Sequence, residues 1–154
     1  MSDLIWGEFK KTSPVMAALG EERFNRTGLA MVATIRKNGW PRMSPVEPLI
    51  VDGHLYLGMM WQSRKAIDLL RDPRCTLHST VSNRDGSEGD FKVYGKAMEI
   101  HDVGMRQRYS DAMQNKLGFA LKESEYHLFS LDIESVSFST LQDGKWIHTI
   151  WKKP

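Results

Sequence analysis

From Leu29 the chain alternates: Leu29, Met31, Ala33 and Ile35 interleave with Ala30, Val32, Thr34 and Arg36. That period of two predicts a strand with one buried face. Lys37-Asn38-Gly39 reads as a hairpin turn, since Asn-Gly supplies positive φ angles. A second strand is predicted from about Trp40 to Val51. Its prolines, Pro41, Pro45 and Pro48, donate no ladder hydrogen bond, so it is expected to be an edge or interrupted strand. Asp52-Gly53 turns it into a third strand, His54 to Met60, and the three form a meander.

Helical spacing brackets this unit. A short helix is predicted over 14–24, with Ser13 as N-cap, Pro14 in the first turn and Val15, Met16, Leu19 and Phe24 as its apolar side. A second is predicted over 63–71, with Ala66, Ile67, Leu69 and Leu70 apolar and Asp72-Pro73 as its stop. Strands follow at about 74–81 and 90–100, separated by a polar loop. A helix over 102–117 comes next, with Met105, Tyr109, Ala112, Met113 and Lys116 on one side. One long or bent strand over 127–141 and a last strand over 145–151 meet at Asp143-Gly144. Strands joined by short turns favour an antiparallel barrel or sandwich.

The 154 residues are expected to form one domain. A single cysteine, Cys75, excludes an intramolecular disulfide framework and a Cys-rich zinc site; it reads as a buried, inert thiol. A net charge of +2 is too balanced for a dedicated nucleic-acid binder. No apolar run approaches the roughly 20 residues that span a bilayer, and the first residues lack the order of a signal peptide. A cytoplasmic protein is the expectation. The familiar catalytic and nucleotide-binding signatures are missing, and the five histidines are scattered without metal-ligand spacing.

Three segments carry candidate chemistry. In Trp61-Gln62-Ser63-Arg64-Lys65, Ser63 is placed to cap a helix whose first turn then holds two cations. The helix dipole disfavours cations there and favours an anion, so a bound phosphate would resolve the conflict; solvated surface charge is the alternative. Arg42-Met43-Ser44-Pro45 lies on the proline-rich strand, whose free backbone groups suit a planar ligand's heteroatoms or merely protect an edge. Trp146 and Trp151 on the last strand suit packing on the barrel or across a subunit interface.

The order and spacing of several elements resemble the pyridoxamine 5′-phosphate oxidase-like, FMN-binding split-barrel superfamily. They are Leu29 to Thr34, the turn through Gly39, Pro41 to Val46, Asp52 to Leu57, Ser63 to Ala66 with Leu69 to Arg74, and Val93 to Ala97. The resemblance implies a mainly β protein with short flanking helices, a six-stranded antiparallel split barrel, and a homodimer with the cofactor groove between subunits. It implies that Ser63, Arg64 and Lys65 hold the flavin phosphate, and that Arg42, Met43, Ser44 and Pro45 run beside the isoalloxazine ring. Met59, Met60 and Trp61 would line the ring or ribityl chain, and Trp146 would close the groove from the partner. No general acid or base is implied. The last residues lack the arginines of true pyridoxamine phosphate oxidases, which argues against vitamin B6 synthesis. The expected function is therefore a flavin-dependent oxidoreductase acting on a small-molecule redox substrate. The alternatives are a deazaflavin-dependent reductase, with Arg36, Lys37 and Arg42 as contacts for its acidic tail, and a non-enzymatic flavin- or haem-binding stress or carrier protein.

Overall fold

The computed structural model describes residues 2–119 and 125–154. Its elements run α1 (Trp6–Thr12), α2 (Pro14–Thr27), β1 (Ala30–Ile35), β2 (Pro41–Val46), β3 (Pro48–Val51), β4 (His54–Met60), α3 (Arg64–Arg71), β5 (Arg74–Ser79), β6 (Asp90–Glu99), α4 (Val103–Leu117), β7 (Tyr126–Gln142) and β8 (Lys145–Lys152).

The strands are ordered β2-β1-β5-β6-β7-β4-β3, all described pairs antiparallel, with β8 added on β7. β2 and β3 stand at opposite ends of this path, yet only Glu47 separates them in the chain. They are the interrupted strand foreseen from the prolines. One half pairs with β1 and the other with β4, so that segment closes the sheet into a six-stranded barrel. β7 serves two neighbours in turn: 126–130 pairs with β4 and 135–142 with β8. Its register against β6 shifts beside Gly95, where a Cβ would collide with the Asp132 carbonyl.

The core has two parts. Inside the barrel, Trp6, Phe9, Phe24 and Phe91 pack with β-strand aliphatics, and α1 and α2 close one end. A smaller cluster of Tyr56, Tyr109, Met113, Tyr126 and Leu128 fastens α4 to the outside. Asp132 on β7 gathers both ends of the chain, accepting from the Leu4 amide at 2.8 Å and pairing with Lys153 at 3.0 Å.

Several expectations change. α1 has no counterpart in the sequence reading. α2 runs on to Thr27, where Gly28 at φ 72° ends it, and Ser13 makes no side-chain cap. The hairpin through 37–39 forms, but only Gly39, and not Asn38, has positive φ, as in a three-residue loop. α4 buries Arg106 with Tyr109 and Met113, and Asp102 caps it through the Met105 amide. In α3, Ile67 and Leu70 face outward while Asp68 is buried. Cys75 is buried as expected, and desolvation pushes its thiol up to about 12.

Candidate functional site

β4 alternates a buried Met59 with an exposed Met60, then turns into α3. The turn is closed by the Ser63 amide donating to the Met60 carbonyl at 3.0 Å. Ser63 is extended, at φ −62° and ψ 153°, and its carbonyl starts the helix by accepting from Ile67 at 3.0 Å. Its hydroxyl does not cap the helix as expected. Oγ is buried without a hydrogen-bond partner. Such an atom loses its hydration and gains nothing in exchange, at a cost of roughly 1–3 kcal/mol. The first turn of α3 has no acidic residue; it carries Arg64 and Lys65. First-turn amides, a buried hydroxyl and two cations together make a donor set for a phosphate.

β2 passes beside this helix start. Lys65 Nζ donates to the Pro45 carbonyl at 2.9 Å, and desolvation lowers the ammonium's pKa against a weak opposing pull from Glu47. Arg42 Nε donates to buried Asp68 at 2.7 Å, and the same carboxylate receives Thr34 Oγ1 at 2.8 Å and Arg71 at 3.3 Å. Burial raises the Asp68 pKa, but the hydrogen bonds from Arg42, Thr34 and Arg71 outweigh it and hold the group ionised below its usual range.

The expected residues divide between two grooves on either side of this junction. One, of about 400 Å³, is strongly basic and is lined by Arg36, Lys37, Arg42, Arg64 and Arg71 around Asp68. The other, of about 510 Å³, is more apolar and contains Pro45, Met59, Met60 and Lys65 facing Tyr109 and Met113 of α4. Gly58 is required in its wall, because a Cβ there would strike the Tyr109 hydroxyl. Met43, Ser44, Ser63 and Trp61 line neither groove; Met43 and Trp61 are more than half exposed. Trp146 stands apart, against Gly86 and stacked near His148, while Trp151 packs on Phe9.

Sequence reading missed Asp68, Thr34, Arg71, Tyr109 and His127 as site residues. A buried acid at i,i+3 from Arg71 was readable in the helix; the other contacts join distant segments.

A closed six-stranded barrel with an anion-receptive helix start at the end of β4 defines the class of fold. The pyridoxamine 5′-phosphate oxidase family model matches residues 19–140, and the chain belongs to that family. Solved structures share the fold at low identity. A Clostridium acetobutylicum protein related to general stress protein 26 of B. subtilis is 17% identical, with a TM-score of 0.65 over 87% of this chain and 94% of that one. A nimC/nimA family protein from the same organism is 12% identical, with a TM-score of 0.67 over 86% and 90%. The haem storage protein HutZ from Vibrio cholerae is 15% identical, with a TM-score of 0.61 over 79% and 89%. No curated protein matches the chain. Among the described residues no helix is long and apolar enough to cross a membrane.

Proposed function

We propose that the chain binds FMN and works as a flavin-dependent oxidoreductase on a small-molecule redox substrate. The observation that carries this reading is the orphaned Ser63 hydroxyl, buried at a helix start beside Arg64 and Lys65. A phosphate at this junction would meet the first-turn amides, with Arg64 offered from the basic groove and Lys65 from the apolar one, and the buried hydroxyl lies between them. Arg42, held by Asp68, adds a cation from β2. The flavin, when bound, supplies hydride or electron transfer. Met59, Met60 and Pro45 offer its ring an apolar wall, and the free edge of β2 offers backbone groups to its heteroatoms.

The homodimer belongs to the same reading, and proteins of this family are commonly dimers. Its support is the exposure of Trp40, Met43, Met60, Trp61, Ile67 and Leu70 on the segments flanking the grooves. Large apolar side chains gathered around a site suit a surface that a second copy covers.

A second reading, a deazaflavin with a long acidic tail, is favoured by the basic groove, where Arg36 and Lys37 join Arg42, Arg64 and Arg71. Haem is less well supplied: no histidine is among the described residues lining either groove. The test is the visible spectrum of the purified protein, followed by titration with FMN and with the deazaflavin. FMN-like absorption and tight FMN binding support the first reading. Deazaflavin binding without FMN binding supports the second. A Soret band overturns both.

A further inference from the structure

The turn that delivers Ser63, Arg64 and Lys65 is strained, and a histidine from another strand holds it. Gln62 sits at φ 58°. Turn positions with positive φ favour glycine, and another side chain there costs on the order of 1 kcal/mol. Besides the Ser63–Met60 bond that closes the turn and the Trp61 amide's bond to the Glu125 carbonyl at 3.3 Å, His127 makes two contacts that oppose that cost. The Gln62 amide donates to Nε2 of His127 at 3.2 Å. The Trp61 indole stacks on the same imidazole, centroids 4.3 Å apart and planes 12° from parallel. His127 itself is 3% exposed, so its ring meets these partners from the protein side while Trp61 faces solvent on the other.

Because Nε2 accepts, the neutral ring carries its proton on Nδ1, which faces the Glu99 carboxylate of β6 at 3.4 Å. Glu99 is also 3.3 Å from His101, just beyond the strand. From α4, Arg106 is directed at the adjacent Tyr126, bonding its carbonyl at 2.9 Å and lying over its ring. From β4 the partner is the uncharged Met59. A second proton on His127 would turn Nε2 into a donor facing the Gln62 amide, and that hydrogen bond would be lost.

We propose that His127 is a positioning residue for the cofactor site: neutral, it holds Gln62 and aims the Ser63-Arg64-Lys65 donors; doubly protonated, it releases the turn and weakens flavin binding. This rests on the FMN reading above. It makes cofactor retention sensitive to acidification through a residue that does not touch the ligand.

The test uses FMN titrations on two variants. His127→Phe keeps an aromatic ring to stack on Trp61 but has no acceptor. His127→Gln places an amide oxygen near the Nε2 position and does not titrate. At about pH 8, His127→Phe should weaken FMN binding about tenfold, while His127→Gln stays within about threefold of wild type. On acidification the wild-type affinity should fall further than that of His127→Gln, the ionisation of the FMN phosphate being common to both. Equal pH profiles for wild type and His127→Gln, or unchanged affinity in a folded His127→Phe, would overturn the proposal. If His127→Phe does not fold, the comparison of pH profiles decides.

A flavin-free arm separates this proposal from the FMN reading. The emission of Trp61, taken as wild type minus Trp61→Phe, should fall on acidification in the apoprotein and should not do so in His127→Gln. Absence of FMN binding by the wild type at every pH would sink the FMN reading and the cofactor-gating step with it. The Trp61 response would then support the turn lock alone, and its absence would overturn that too.

Discussion

Arg42 on β2 and Asp68 on α3, 26 residues apart, are joined by a 2.7 Å hydrogen bond whose carboxylate side is almost wholly buried. The bond does two things. It ties an edge strand to the helix that opens the candidate phosphate site, and it fixes the direction of one of that site's cations. Asp68 is satisfied on both oxygens by Arg42, Thr34 and Arg71, so its burial is compensated.

Asp68→Asn should therefore lower stability by about 2–3 kcal/mol at neutral pH, since charge-assisted bonds to three donors are weakened. The pH dependence gives the sign. The folded-state pKa of Asp68 is depressed, so its contribution is present above the unfolded carboxylate pKa and is lost as pH falls through the folded one. Thermal melts at about pH 7 and about pH 3 should show the wild type losing more of its Tm on acidification than Asp68→Asn does. Parallel losses would mean that the pair contributes nothing to acid sensitivity.

Ser63→Ala should move two quantities in opposite directions. Without ligand, removing an unpartnered buried hydroxyl should leave Tm unchanged or raise it, by up to about 1 kcal/mol in stability. With FMN, one donor to the phosphate is gone and the dissociation constant should rise about tenfold. A capping role predicts the opposite apo result, a loss of about 1 kcal/mol. Calorimetry of the apoprotein with fluorescence titration of FMN distinguishes the two.

The double variant Arg64→Ala, Lys65→Ala should weaken FMN binding by about a hundredfold or more, two charge-assisted contacts being removed. Its apo fold should hold, because cations in the first turn of α3 oppose the helix dipole and the Lys65 bond to the Pro45 carbonyl that is also lost is a solvent-exposed one. Unchanged FMN affinity in the folded variant would remove these residues from the phosphate site.

Local chemistry was legible and distant pairing was not. Asp52-Gly53 and Asp143-Gly144 both adopt the paired positive φ angles expected of tight hairpins. The start of α3 at Ser63-Arg64-Lys65 was legible because a helix start needs only local sequence, although the Ser63 side-chain cap read there does not form. α1 was missed because two side chains, Trp6 and Phe9, define its buried face, and such a short helix exists through tertiary packing. The closure of the barrel depends on β4 meeting β7, which begins only at Tyr126, and no local period encodes that pairing. For the same reason Asp68 and His127 went unassigned: what they hold lies 26 and 65 residues away in the chain.

The outward face of α3 supplies the remaining prediction. Ile67 and Leu70, at i and i+3, are 41% and 46% exposed, although the apolar spacing of this helix implied burial. They lie outside the core of the single chain, and in the dimer proposed above a second copy would cover them. Leu70 lines neither groove, so Leu70→Glu tests the interface without adding an acid to the phosphate site. On a free surface the change should alter stability by no more than about 0.5 kcal/mol. In a dimer interface it buries an unpaired charge, which is strongly unfavourable. Light scattering at micromolar concentration should show a wild-type dimer and a folded Leu70→Glu monomer, with FMN affinity reduced at least about tenfold if the groove needs both subunits. A wild-type monomer that still binds FMN would sink the shared groove. A Leu70→Glu dimer with wild-type affinity would place the interface on another face.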